Sequence, residues 1–343
     1  MKYDNQKYVD HGRSLIITYS SNWDKELKKA NHHKNGAPFR YAESMIAVVA
    51  SIRATFHLPY RQLAGTLQGM MPGHKTPDYT TIQRRISEMK ITVHEGLSTI
   101  RNKNEHALLI VDATGLKQGN RGEWIRQKWR IRRGFIKLHL LMEEKTREIL
   151  AISVTPDSVS DTKVLQELID RARSNDPVER IRGKPENRLA KGVSPLEGME
   201  SNYSEPQTEG ASILGDGAYG SRKNIQDCVD KGIKPLMRLQ TNLTTKGKGT
   251  GYAWGHAVRD QLGGSPEESI TNLTKEEREE CREYWKTRVG YGRRWTVERS
   301  ISALKRIFGE YVRSRTWDNI VQEVKIWITT YNSWLREEAT HRT

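Results

Sequence analysis

Two short apolar runs, each closed by an aspartate, constrain this chain more than any other feature. Ala107-Leu108-Leu109-Ile110-Val111 leads directly into Asp112, and Ile213-Leu214-Gly215 leads into Asp216. A continuous apolar run of this length, without polar alternation, predicts a strand covered on both faces. A carboxylate cannot be buried cheaply without a partner, so an acid at the end of a central strand calls for a reason. The commonplace reason is a helix or turn cap, a role Asp often fills.

The segments around these runs predict an α/β fold. Ile136–Met142 and Glu148–Val154 read as strands about a Glu-Lys-Thr-Arg turn, and Asp161 is expected to cap a helix through Val164, Leu165 and Leu168. A helix at 221–231, a strand at 233–239 and several later helices follow. In an open sheet, the carboxyl ends of neighbouring strands gather at one edge. If the strands carrying Asp112 and Asp216 are neighbours, the two acids meet there.

A third acid stands in Tyr291–Lys305, which reads YGRRWTVERSISALK. On an α-helix Tyr291, Arg294, Glu298 and Lys305 fall within about 60° of one another. Val297, Ile301, Leu304 and Phe308 form the adjacent apolar stripe that such a helix would bury. Ordinary surface helices carry similar Arg-Glu-Lys sets as solvated ion pairs. Here the balance is uneven. Between Lys286 and Arg306, seven Lys or Arg residues face Glu298 alone. Three acids brought together would repel unless cations neutralised them, and hard oxygen ligands select Mg²⁺ or Mn²⁺. Two such ions per site would serve phosphodiester displacement.

The net charge of +15 favours a polyanionic partner, of which nucleic acid is the commonest. No apolar run reaches the ~18 residues of a membrane span, and the first residues lack an apolar signal region. Cys228 and Cys281 are the only cysteines and form no CxxC pair, so the expected compartment is a reducing cytoplasm.

Four segments are expected along the chain. Residues 1–37 read as a polar arm. Residues 38–104 read as a helical, helix-turn-helix-like DNA-binding domain whose third helix carries Thr80, Thr81, Gln83, Arg84 and Arg85. Residues 105–335 form the catalytic segment, interrupted by a low-complexity insertion at 174–210, and 336–343 is a tail. Within the catalytic segment Lys117–Lys137 mixes eight Lys or Arg with Trp124, Trp129 and Phe135. That mixture suits a DNA-gripping surface carrying Arg126, Lys128 and Arg130, and equally an ordinary edge strand protected by Arg.

Three blocks carry a family resemblance: IVDATG around Asp112, LGDGAYGSR around Asp216, and Tyr291-x2-Arg294-x3-Glu298-x6-Lys305. Together they resemble the DDE transposases of prokaryotic insertion sequences, across roughly residues 38–335. The resemblance implies a ribonuclease H-like mixed sheet flanked by helices, preceded by a small all-α domain. It implies Asp112, Asp216 and Glu298 as the metal-binding catalytic triad, with two Mg²⁺ or Mn²⁺ ions. Arg294 and Lys305 would contact phosphates at the element end, and Tyr291 would help position that strand. The implied partners are double-stranded DNA, as terminal inverted repeats and target, and a second copy of the chain in a homodimeric synaptic complex. The implied place is the cytoplasm, associated with the nucleoid, with no membrane partner. Two alternatives stay open: a ribonuclease H-like DNA nuclease without strand transfer, and an inactive transposase-derived DNA-binding protein.

Overall fold

The computed structural model describes residues 20–93, 106–119, 135–174, 211–239, 252–262 and 273–340. Among them no helix is long and apolar enough to cross a membrane. The chain forms two compact units.

The first unit comprises His94–Gly115 and Ile136–Ile301. Its frame is a mixed sheet of β1 (Ala107–Gln118), β2 (Phe135–Glu143), β3 (Ile149–Pro156), β4 (Ala211–Gly215) and β5 (Ile233–Met237), in the order β3-β2-β1-β4-β5. β2 and β3 are antiparallel, whereas β1, β4 and β5 run parallel. This is a mixed sheet flanked by helices, as the sequence leads one to expect. The two apolar runs lie at its centre, with Leu109, Ile110, Val111, Ile213 and Leu214 all buried. Helix α5 (Leu165–Ser174) lays Leu165, Leu168, Ile169 and Ala172 against one face of that centre. A 3-10 turn at Asp161–Lys163 precedes α5, and Ser160 takes the cap position expected of Asp161. Asp161 is instead paired with Lys137 of β2.

Helix α6 (Arg222–Asp230) follows β4 and is capped by Ser221, which accepts from the Asn224 N–H. Helix α7 (Tyr252–Leu262) packs beside it, and α8 (Lys275–Val289) packs on α7. Ile225, Leu239, Trp254, Val258 and Leu262 form a second buried cluster.

His139 of β2 is fully buried and bonds the Thr155 hydroxyl at 2.9 Å and the Tyr219 hydroxyl at 3.4 Å. Burial holds its imidazole below the usual range, with Asp161 pulling the other way. The unfolded chain therefore takes up the proton more readily than the folded one. The thermal midpoint is expected to fall as pH drops below about 6.5. His139→Gln should give a shallower acid slope in a thermal melt series, and an unchanged slope would remove His139 from that account.

The second unit comprises Met1–Val93, Leu116–Phe135 and Ser302–Thr343. Helices α1 (Ser21–Asn31), α2 (Glu43–Phe56), α3 (Tyr60–Met70) and α4 (Tyr79–Glu88) open it. α1 lies in the stretch read as a polar arm. It is held by buried Trp23, and its Glu26 carboxylate caps α2 by accepting from the Glu43 N–H at 2.7 Å. α4 starts where expected, with Asp78 accepting from the Thr80 and Thr81 backbone N–H groups. The link at 71–78 is longer than the three or four residues of a helix-turn-helix turn.

Helix α9 (Trp295–Phe308) ends in this unit, followed by the two-residue β6 (Tyr311–Val312) and helix α10 (Trp317–Thr340). β6 pairs in parallel with Lys117 and Gln118, the last residues of β1. α10 packs on α2 and α4. The Gln322 amide donates to the Ile86 and Met89 carbonyls at 2.9 and 2.6 Å, and the Thr330 hydroxyl to Ser51 at 2.9 Å. Phe308 stacks on Trp327 and Trp334 with ring centroids 5.8 and 6.0 Å apart.

Candidate active site

Strand register sets two of the expected site residues side by side. β1 and β4 align Val111 with Gly215, so the next residues, Asp112 and Asp216, share one level of the sheet. Asp112 lies inside β1, which continues to Gln118 beyond its paired section with β4. Asp216 lies just past β4 and caps the short 3-10 turn Gly217–Tyr219, accepting from the Gly217 N–H at 2.6 Å. The cap role is therefore real for Asp216. It occupies one carboxylate oxygen.

Close packing fixes this level. A Cβ built on Gly215 would stand 2.9 Å from Val111 Cγ1 and 3.6 Å from Tyr219 Cβ. Gly215→Ala is expected to cost about 1–3 kcal/mol of stability through overpacking. It should also slow any reaction that needs Asp112 and Asp216 level. Thermal unfolding at the wild-type midpoint would show that the strands absorb the methyl group.

The third acid arrives from the late helices. α8 ends at Gly290, whose φ of 64° is the left-handed conformation that favours glycine. The chain then makes a 3-10 turn over Tyr291–Arg294 and enters α9. Tyr291 and Arg294 thus precede the helix rather than lie on it. Val297, Leu304 and Phe308 form the buried stripe expected of α9, and Ile301 is half-buried.

Arg294 ties the acids together. One terminal nitrogen donates to Asp112 Oδ2 at 3.3 Å and the other to Glu298 Oε1 at 2.6 Å. Both contacts are partly sheltered, with side-chain exposures of 19% for Asp112, 22% for Arg294 and 42% for Glu298. Burial holds Asp112 above the usual carboxylate range. The Ala113 N–H and Arg294 pull it down, and the Glu298 and Asp216 charges push it further up. Among the described residues, no group of three or more His, Cys, Asp or Glu is close enough together to hold a metal ion. Between Asp112 and Glu298 the cation in place is a guanidinium.

The other expected residues are distributed as follows. The Tyr291 hydroxyl donates to the Gly215 carbonyl at 3.1 Å, and its ring packs on buried Trp285 at 5.4 Å. Burial pushes the Tyr291 phenol up to about 12. Tyr291 therefore braces the end of β4. Lys305 lies on α9 and is half-buried. Arg84 is exposed on α4, and Arg85 lies over the Phe39 ring at 5.5 Å. The Thr80 and Thr81 hydroxyls are committed to Asp78. Arg126, Lys128 and Arg130, with Trp124 and Trp129, lie outside the described residues.

One residue escaped the sequence reading. β4 and β5 align Gly215 with Met237, so Arg238 stands at the same level as Asp216. The segment is pinned by Gln261, which donates to the Met237 carbonyl at 2.6 Å and accepts from the Leu239 N–H at 2.9 Å. Exposed Arg238 joins Lys286 and Arg293 in lining a basic hollow of about 560 Å³ beside Tyr291. The signal was present: Leu-Met-Arg238 repeats the pattern of an apolar run followed by a charge seen at Asp112 and Asp216.

A family model described as "Transposase DDE domain" matches residues 103–333, and a second of the same description matches residues 13–121. Several solved structures are also similar. A chain in the structure of the simian T-cell lymphotropic virus intasome in complex with PP2A regulatory subunit B56 gamma is 13% identical over 57% of this chain and 53% of its own, with a TM-score of 0.22. The Drosophila P element transposase in a strand transfer complex is 10% identical over 69% of this chain and 48% of its own, at 0.31. A piggyBac transposase in a synaptic complex with hairpin DNA is 9% identical over 98% of this chain and 76% of its own, at 0.39. The match thus spans about half the length of the first two.

Proposed function

The chain belongs to the DDE transposase family, and on that footing we propose that it cuts DNA at the ends of an insertion sequence and joins the freed 3′-hydroxyl strand to target DNA. One observation carries the reading: Asp112 and Asp216 sit level on adjacent parallel strands, and Arg294 links Asp112 to Glu298.

In this proposal Asp112, Asp216 and Glu298 hold two divalent cations, Mg²⁺ or Mn²⁺. The donor chemistry suits such ions: all three acids offer hard carboxylate oxygens, and Asp112 and Glu298 already share one positive charge, that of Arg294. Bound there, such ions supply activation of the attacking oxygen and stabilisation of the leaving one.

The chain's own residues do the rest. Tyr291 holds the end of β4, and with it the backbone that carries Asp216. Arg294, now bonded to Asp112 and Glu298, would be free to meet a DNA phosphate once those carboxylates were engaged elsewhere. Arg238, Lys286 and Arg293 hold the phosphates of the strand beside the cut, and Lys305, Arg84 and Arg85 make further backbone contacts. Two element ends need two active sites, so the working form is a homodimer on DNA.

The test is direct. Purified protein, precut element ends, supercoiled target and Mg²⁺ should yield joined products. Nicks without joining would favour a nuclease without strand transfer. DNA binding without any cut would favour an inactive derivative of the family.

A further inference from the structure

The helical unit contains a cavity of about 270 Å³ that the candidate active site does not use. It lies between α2, α4 and the start of α10, and three of its lining residues are Arg53, Arg313 and Arg315. Against these three guanidinium groups stands one carboxylate, Glu323. That carboxylate is 6% exposed and already accepts from the Arg313 and Ser314 backbone N–H groups, at 3.0 and 2.8 Å. The lining therefore keeps an excess of two positive charges with its anion turned to the backbone.

Arg53 is the telling residue. Its guanidinium lies over the Tyr60 ring at 4.3 Å, and its Nε is shut off from solvent with no hydrogen-bond partner among the described residues. A buried donor left unmade costs about 1–3 kcal/mol, and none of the described residues supplies its acceptor. Arg313 is held in place by donating to the His57 carbonyl. Arg315 is exposed at the rim. Thr316, just before the 24-residue α10, and Asn319, in its first turn, add to the wall at the helix end that favours anions. The same charges act on His57, whose imidazole is held below its usual range by burial, by Arg313 and by Arg53, with Glu323 opposing.

We propose that this cavity is a phosphate site that takes one nucleotide unit of a bound DNA strand. Its volume lies just below the about 300–1,000 Å³ of a site for a drug-sized molecule, which leaves room for a phosphate with its sugar. DNA is the favoured source because the rim includes Gln83 and Ser87 of α4, the helix that also presents Arg84 to solvent. The choice of DNA rests on the proposed function. The phosphate chemistry does not.

The test uses the full chain and two probes, duplex DNA of the element end and thymidine 5′-monophosphate, with Arg315→Gln and the double variant Arg53→Gln, Arg315→Gln. Thermal melts check that both variants fold, and exposed Arg315 alone keeps the test alive if the double variant does not. With duplex DNA, the slope of log affinity against log salt should become shallower by about 0.9 for each phosphate the variant no longer neutralises. Phosphate ethylation interference should lose one position in the variant. If the monophosphate binds wild type and not the variants while DNA binding is unchanged, the site holds and its source is a free nucleotide. If wild type binds DNA and neither probe distinguishes it from the variants, the cavity is no phosphate site. If wild type binds no DNA but does bind the monophosphate through these arginines, the DNA function fails and the site stands.

Discussion

Asp112→Asn, Asp216→Asn and Glu298→Gln are each expected to leave a folded protein that binds element-end DNA and cuts it about a thousand-fold more slowly or not at all. The substitutions keep shape and remove one negative charge. Asp112 and Asp216 sit at one level of a well-packed sheet, so neutral isosteres there should disturb the fold little. Asp112→Asn even relieves a carboxylate that burial holds above its usual range. The thermal midpoint should therefore hold or rise while cleavage disappears. Loss of folding together with loss of cleavage would return these acids to a structural role. Full cleavage in any one variant would remove that residue from the triad.

Removing Arg294 has two consequences of opposite sign. Its guanidinium is shared between Asp112 and Glu298, and a divalent ion bound by these acids, as proposed, would compete with it for the same oxygens. Without DNA, Arg294→Gln should bind Mn²⁺ more tightly than wild type, by roughly ten-fold for one repulsive charge removed at a partly exposed site. With DNA, the same variant should cleave about a hundred- to a thousand-fold more slowly, having lost a cation beside the phosphate in the transition state. Mn²⁺ titration followed by electron paramagnetic resonance reads the first effect, and single-turnover cleavage reads the second. Weaker Mn²⁺ binding in the variant would mean that Arg294 shapes the acid cluster rather than competing for it.

How far the sequence reached differs from element to element. Asp112 and Asp216 were legible because a buried central strand has only apolar residues to show until its end, and a charge there stands out. Glu298 stood out by charge imbalance, although the helix expected from Tyr291 begins only at Trp295, after the 3-10 turn that carries Tyr291 and Arg294. Arg238 was missed because β5 reads Ile-Lys-Pro-Leu-Met, with Lys234 exposed and Pro235 half-buried, so its end was hard to set. Helix α1 was missed because one buried Trp and one capping Glu hold it, and neither leaves a periodic stripe. In α10 the apolar residues Ile320, Val324, Trp327 and Ile328 announce a buried face in the sequence without naming its partner. That partner is the N-terminal helix set, through Thr330 to Ser51 and Gln322 to the end of α4. Periodicity reports that a face is covered, while the covering element depends on contacts remote in sequence.

The most direct measurement is the anomalous scattering of Mn²⁺ in crystals of the protein with precut element-end DNA. The account predicts manganese between Asp112, Asp216 and Glu298, with Arg294 withdrawn from the carboxylates to a phosphate. Manganese absent from these three acids, in crystals whose DNA end is seated beside them, would contradict it.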